Sequence, residues 1–184
     1  MSEVSAWPLP LRLIHWASTA LVLGALGLGA YMVALVQDPA RRFDLTQTHK
    51  SIGITVLVLT AMRVGVRFLT AAPKPLPLAP PLQRVAAATH VSLYALLLLV
   101  PLSGWLMATS TPVRVPTIVF GLFALPYPLG PDLPMYQVAH AAHVVAAFAL
   151  AALVALHVAA ALVHALWWRD GVLMRMWQQR SRAA

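Results

Sequence analysis

Three long stretches without Asp, Glu, Lys or Arg limit the fold of this chain more than any other feature. They cover 25 residues between Arg12 and Asp38, 29 between Arg84 and Arg114, and 36 between Asp132 and Arg169. A helix needs about 20 apolar residues to cross the hydrocarbon core of a bilayer. The residues do not alternate as in barrel strands, and lipid-exposed backbone must satisfy its own hydrogen bonds, so each stretch predicts a transmembrane helix.

A fourth predicted span runs from about His49 to Leu69 and is interrupted by Arg63 and Arg67. The chain is 60% hydrophobic over 184 residues, too apolar for a soluble core of that size. We therefore predict an all-α membrane protein: one domain, residues 1–184, forming a four-transmembrane-helix bundle. The predicted helices are about 11–36, 48–69, 82–108 and 136–168, and the apolar, Pro- and Gly-containing segment 109–134 is predicted to fold onto the bundle as an outer lid.

The basic residues predict the orientation. A cytoplasmic N-terminus gives that side nine of the 13 Lys and Arg residues and leaves four outside, Arg41, Arg42, Lys50 and Arg114. This asymmetry favours an N-in, C-in topology. The net charge of +8 is then explained by topology and by attraction to anionic lipid, so nucleic acid is not an expected partner. The first residues lack the features of a cleaved signal peptide, so we expect the first helix to be retained.

Two absences narrow the chemistry. The chain has no Cys, which excludes disulfides, iron–sulfur clusters, thiolate ligands and covalent haem attachment. Any haem must therefore be bound non-covalently. The acidic residues all fall in termini or predicted loops, which argues against a carboxylate pathway across the bilayer and against a metal-ion transporter. They are Glu3, Asp38, Asp44, Asp132 and Asp170.

Histidines occur at two predicted depths of the bundle. His157 follows His143 by 14 residues in one helix, which corresponds to about 21 Å along the axis and about 40° in azimuth. His49 lies at the outer depth with His143, and His15 lies at the inner depth with His157. Imidazoles from different helices that meet at two depths suit two stacked haems, each with two axial histidines. We therefore predict the pairs His49 with His143 and His15 with His157.

Spacing also suggests neighbours for these pairs. Gly29 follows His15 by 14 residues, and Gly104 follows His90 by 14, so two helices have a glycine at the outer depth. A flat macrocycle needs such room between helices. Glycine is, however, also common at ordinary contacts between membrane helices. Arg63, Arg67 and His140 are candidates for contacts with haem propionates or axial ligands. Candidates for a quinone site are His164, Trp168, Arg63 and His90. The alternatives are packing for the histidines, snorkelling to the interface for the arginines and the aromatic belt for Trp168.

Ordered motifs on all four helices resemble the bacterial cytochrome b561 family. They are "LRLIHW", "THKSIGITVLVLTAMRVGVR", "HVSLYALLLLVPLSGW", "FGLFALP" and "HVAAALVHALWWRDGVLMRM", and together they cover nearly the whole chain. The resemblance implies a di-haem b bundle of the bacterial inner membrane with axial ligands at His15, His49, His143 and His157. It also implies oxidation of external superoxide with ubiquinone as the electron acceptor, and an inner quinone site near His164 and Trp168. His140 matches no motif of the family.

Superoxide is a small anion, so outer cations are candidates for steering it: Arg41, Arg42, Lys50 and Arg114. The main alternative is a haem-b membrane anchor, which would reduce quinone while serving a hydrogenase, a formate dehydrogenase or another periplasmic redox protein. Exchange of electrons with an isoprenoid-binding periplasmic protein is a further alternative. The physiological donor and the oligomeric state stay open at this point.

Overall fold

Four long helices form the protein. The computed structural model describes residues 6–73, 79–113 and 115–177. The helices are α1 (Leu9–Leu35), α2 (Pro39–Leu69), α3 (Pro80–Ser110) and α4 (Leu133–Leu162), and α4 continues as a π-helical segment, Val163–Trp168. All four are long and apolar enough to cross a membrane. The predicted all-α, four-helix membrane fold is therefore confirmed.

Helix α2 begins well before the predicted start near Thr48. The Asp38 side chain accepts a hydrogen bond from the Ala40 N–H at 3.0 Å, and Pro39 occupies the first turn, where its missing N–H costs nothing. The segment between Pro39 and Gln47 is helical but carries Arg41, Arg42 and Asp44, so the hydropathy that marks a membrane span begins only later.

Helix α4 also begins earlier than predicted, at Leu133 instead of about Tyr136. The Asp132 carboxylate caps it by accepting from the Met135 N–H at 2.9 Å. The ends of α1 and α3 lie within two residues of the prediction. Polar caps and prolines therefore extend two of the helices beyond their apolar stretches.

The helices pack in chain order, α1 against α2, α2 against α3 and α3 against α4. At mid-depth, Val22, Val56 and Leu150 form a buried apolar core. Small hydroxyl side chains such as Ser51 and Thr60 are almost completely buried, and each donates to a carbonyl of its own helix. Such small residues allow close approach of helices in a membrane, where the hydrophobic effect does not drive them together.

Between α1 and α4 the bundle is open along a groove of about 540 Å³. Leu23 and Leu26 line it from α1, and Ala151, Ala155 and Ala159 line it from α4. The small alanine side chains leave space between the two helices. This groove reaches the depth of His157, which lies between two of its lining residues in sequence.

Residues 111–113 and 115–132, here called the lid, fold onto the N-terminal half of α2. They contain a two-stranded antiparallel hairpin, β1 (Ile118–Val119) and β2 (Phe123–Ala124), which the sequence did not predict. Gln47 donates to the Pro116 carbonyl at 2.8 Å, and the Ser51 hydroxyl accepts from the Phe120 N–H at 3.0 Å. These bonds hold the lid against α2. We call this the lid end of the bundle.

The opposite end, here called the terminal end, carries the first and the last of the described residues. A short helix, α5 (Met174–Trp177), is bound to the start of α1. The Trp7 N–H donates to the Arg175 carbonyl at 3.0 Å, and the Trp16 indole N–H donates to the Met176 carbonyl at 3.0 Å. These bonds join α5 to the start of α1, close to the depth of His15.

Candidate functional site

Two pairs of histidines face each other at opposite ends of the bundle. At the lid end, His49 of α2 and His143 of α4 have ring centroids 6.2 Å apart and ring planes at 81°. At the terminal end, His15 of α1 and His157 of α4 have centroids 6.4 Å apart, also at 81°. These are the pairs that the spacing of the sequence predicts.

The spacing within each pair fits one metal atom held between two imidazoles. A metal–imidazole bond of about 2 Å places the two ring centroids about 6.3 Å apart when both rings coordinate the same atom in line. The 6.2 Å and 6.4 Å separations match this value. In the described part of the chain, no group of three or more His, Cys, Asp or Glu side chains converges on one point. The donor set therefore suits a prosthetic group that takes two axial ligands.

His143 is held in the orientation that an axial ligand needs. Its Nδ1 lies 2.8 Å from the Val100 carbonyl of α3, which can only accept a hydrogen bond. The proton is therefore on Nδ1, and Nε2 keeps its lone pair for a metal. The close approach of His143 to α3 depends on Gly104, because a Cβ at that position would lie only 3.0 Å from the His143 Cε1 atom.

A glycine also accompanies the second ring at the lid end. A Cβ at Gly29 would lie 3.4 Å from Cε1 of His49, which is an ordinary contact. Gly29 and Gly104 were both expected at this depth from their spacing to His15 and His90. Both lie beside an imidazole, but only Gly104 makes room that its histidine ring requires.

The terminal end holds more polar groups than the predicted pair. The ring centroids of His90 in α3 and His157 lie 5.6 Å apart. This separation is shorter than the distance of about 6.3 Å between two rings on one metal atom. His90 is also exposed. Arg63 of α2 lies 2.9 Å from Nδ1 of His15 and 5.6 Å from the centre of the Tyr94 ring. A guanidinium only donates, so Nδ1 accepts in this arrangement. Coordination through Nε2 of His15 therefore requires Arg63 to release Nδ1.

A small cavity of about 70 Å³ lies beside the histidines of the lid end. His49 and His143 line it together with Lys50, Trp105 and Thr117. The indole nitrogen of Trp105 is buried and has no hydrogen-bond partner within the described structure. A cation and an unused N–H donor therefore lie beside the imidazole pair, and both favour a ligand group with negative charge or acceptor oxygens.

The other cations at the lid end have structural contacts. Arg42 donates to the Val36 carbonyl at 2.7 Å and so caps the last turn of α1. The Arg41 guanidinium lies 5.8 Å from the centre of the Tyr31 ring. Both side chains belong to exposed residues, so their charge still faces outward. Arg114 lies outside the described residues.

Two further candidates lie away from the histidine pairs. His140 is exposed and stacks on Tyr136, with centroids 6.0 Å apart and planes at 25°. The Arg67 guanidinium lies 5.4 Å from the centre of the Trp7 ring. The contact with Trp7 joins the end of α2 to the segment that precedes α1.

His164 contacts an acidic residue that the sequence reasoning had placed in a loop. Its Nδ1 lies 2.5 Å from Oδ2 of Asp170, and its ring is perpendicular to that of Trp168 with centroids 4.6 Å apart. The signal for this pair was present in "HALWWRDG", where a Gly after the acidic residue marks a chain reversal. Depth along a helix could not reveal it, because Asp170 lies beyond the helix end.

Paired imidazoles at two heights of a membrane helix bundle are typical of membrane cytochromes of the b type. The chain matches the family described as prokaryotic cytochrome b561 over residues 6–179. It is 35% identical to cytochrome b561 homolog 2 of Escherichia coli strain K12 over 163 residues, which cover 88% of this chain and 86% of that protein. The chain therefore belongs to the prokaryotic cytochrome b561 family, whose members bind haem b and transfer electrons across the membrane.

Proposed function

We propose that the protein moves electrons between the two ends of its bundle through two b haems, one held by His49 and His143 and the other by His15 and His157. The observation that carries the proposal is the matching pair of imidazole separations, 6.2 Å and 6.4 Å, at opposite ends of the bundle. Helix α4 contributes one histidine to each pair, so its rigidity fixes the distance between the two centres. When bound, the haems supply one-electron redox chemistry.

The histidines of the two pairs have different hydrogen-bond partners. The hydrogen bond from His143 to Val100 fixes the ligand nitrogen at the lid end. At the terminal end, Arg63 of α2 contacts His15 of α1. Arg63 would move to a haem propionate, the group that its charge favours, once His15 coordinates through Nε2.

At the lid end, the proposed electron donor is superoxide. Lys50 is a half-buried cation in the wall of the cavity beside His49 and His143, and Arg41 and Arg42 add exposed positive charge nearby. Positive potential at a site entrance raises the encounter rate with a small anion. With the N-terminus cytoplasmic, this end would face the periplasm of the bacterial inner membrane.

At the terminal end, the proposed acceptor is ubiquinone. His164 lies two turns beyond His157 on the same helix and is flanked by Trp168. An aromatic ring beside an imidazole donor suits a flat quinone headgroup with carbonyl oxygens. Arg63, which contacts His15, and His90, which lies beside His157, provide further donors at this end.

A second candidate function is supported by the lid. Phe120, Leu122 and Phe123 are 55%, 80% and 55% exposed, and they form an apolar surface at its tip. Such a surface suits contact with a periplasmic redox protein, for which the chain would act as a haem-b anchor that passes electrons to quinone. The two candidates differ in the donor and share the acceptor.

Stopped-flow mixing of the purified, haem-loaded protein with superoxide tests the proposal. Absorbance of the haem α-band follows reduction, and a second mixing step with a short-chain ubiquinone follows reoxidation. We expect reduction within the mixing experiment and reoxidation only when quinone is present. The control is the same mixing with superoxide dismutase added. If superoxide does not reduce the haems, but quinone still reoxidises haems that have been reduced chemically, the result would favour the anchor function.

A further inference from the structure

The segment after His157 departs from regular α-helical geometry where it carries its polar side chains. Val163–Trp168 is π-helical, and it includes both His164 and Trp168. Short π-helical turns are rare and occur often at functional sites. The wider turn brings the rings of His164 and Trp168 into perpendicular contact, with centroids 4.6 Å apart.

The chain reversal that follows is built around Asp170. Arg169 adopts a left-handed conformation with φ 50°, and Gly171 follows with φ 80°. Oδ1 of Asp170 accepts from the Val172 N–H at 3.1 Å, while Oδ2 lies 2.5 Å from Nδ1 of His164. One carboxylate oxygen therefore holds the turn and the other holds the imidazole. The side chains of His164 and Asp170 are 15% and 24% exposed, so water reaches both.

We propose that Asp170 is a positioning residue that makes His164 the proton donor of the quinone site. This inference rests on the proposed quinone reduction at the terminal end. An ionised carboxylate only accepts hydrogen bonds, so the proton between the two residues belongs to Nδ1 of His164. A carboxylate that holds Nδ1–H leaves Nε2 as the ring nitrogen that exchanges a proton with a ligand, as in other His–Asp pairs. Nε2–H is then the donor that His164 presents to a ligand.

The proton balance of quinone reduction gives this pair its role. A quinone becomes a quinol by taking up two electrons and two protons. The electrons come from the membrane electron transfer of the proposed function. At the quinone oxygen that faces His164, the Nε2–H bond of protonated His164 breaks as an O–H bond forms. His164 is left neutral with Nδ1–H still bonded to Asp170, and water restores the proton on Nε2. The other quinone oxygen, on the opposite side of the ring, takes its proton from water, which completes the quinol.

A simpler role for Asp170 would be to stabilise the end of the helix, and Asp170→Asn separates the two roles. The Asn side-chain oxygen can still accept from the Val172 N–H, so the turn is kept. Its NH₂ group, however, donates to Nδ1 of His164, which moves the proton of the neutral ring to Nε2 and removes the negative charge. Asp170→Glu keeps the charge and serves as the conservative variant. Asp132→Asn is the matched control, because Asp132 caps a helix at the lid end.

The experiment uses the full haem-loaded chain in lipid nanodiscs with decylubiquinone. For Asp170→Asn we expect kcat for quinone reduction to fall about 10²-fold, as for loss of a general acid, with KM for decylubiquinone changed less than about 2-fold. Haem content and the rate of haem reduction should not change. Asp170→Glu should recover most of kcat, and Asp132→Asn should equal the parent. NMR of ¹⁵N-histidine-labelled protein should show the proton of neutral His164 on Nδ1 in the parent and on Nε2 in Asp170→Asn.

Three results would overturn the inference. A parent-like kcat in Asp170→Asn would show that the carboxylate is not needed. An equal loss in the Asn and Glu variants, with a raised KM, would show that Asp170 only maintains the fold of the site. A parent protein whose reduced haems are not reoxidised by decylubiquinone would overturn the proposed function and this inference together, whereas the first two results would leave the proposed function intact.

Discussion

Replacement of Gly104 by Ala should remove the haem of the lid end and leave the other in place. The added Cβ would lie 3.0 Å from Cε1 and 3.1 Å from Nδ1 of His143, whereas carbon atoms pack best at about 3.5–4.0 Å. The ring must therefore move by about 0.5 Å. A shift of that size along the bond lengthens the 2.8 Å contact with the Val100 carbonyl to about 3.3 Å, past the usual range for an N–H···O hydrogen bond, and so weakens it.

The weaker bond costs up to about 1 kcal/mol of net stabilisation, and misorientation of a metal ligand by its neighbours typically costs 10–100-fold in affinity. We therefore expect the haem-to-protein ratio of Gly104→Ala, measured as pyridine haemochrome, to fall from about two towards one. Electron paramagnetic resonance should lose one of two low-spin signals. Gly24→Ala is the matched control, because its Cβ would meet nothing within 4 Å. Two haems retained in Gly104→Ala, or an equal loss in Gly24→Ala, would refute the reasoning.

Three further outcomes are expected. His157→Ala should lose the haem of the terminal end, whereas His90→Ala should keep both haems, because the 5.6 Å separation from His157 is too short for two rings on one metal; haem content and the optical spectrum distinguish the two variants. Lys50→Gln should slow haem reduction by superoxide up to about 10-fold at low ionic strength, and the difference should shrink as salt is added; an unchanged rate would remove Lys50 from the steering cations. Ser51→Ala should cost about 1 kcal/mol by leaving the Phe120 N–H without its partner, and limited proteolysis should then cut the lid faster than in the parent.

The sequence determined the number of helices and the depths of the histidines. A bilayer leaves few ways to arrange uncharged stretches of 25 to 36 residues, so these stretches had to be membrane helices. Within such helices the rise per residue is fixed, and the 14-residue interval from His143 to His157 sets two heights without reference to any other helix. The pairing with His49 and His15 followed from depth together with the resemblance to the family, because His90 and His164 share the inner depth.

The sequence did not predict the polar structure near the helix ends. The nine residues from Pro39 to Gln47 are helical because Asp38 and Pro39 start the helix, although their charges exclude them from any hydropathy window. The lid hairpin depends on hydrogen bonds to Gln47 and Ser51 of another element. Such contacts come from parts of the chain separated by about 70 residues, so no local pattern predicts them.

Only the tertiary structure decided which side chains touch. The rotation of each helix about its axis brings Arg63 onto His15, Gly104 onto His143 and His90 close to His157. The reversal after Trp168 returns Asp170 to His164, so a residue that the sequence placed in a loop becomes the partner of a histidine in the helix. Depth is a property of one helix and its lipid surroundings, whereas azimuth and chain reversal depend on packing between elements. For that reason the sequence determined the heights of the candidate centres, and the fold decided the groups around them.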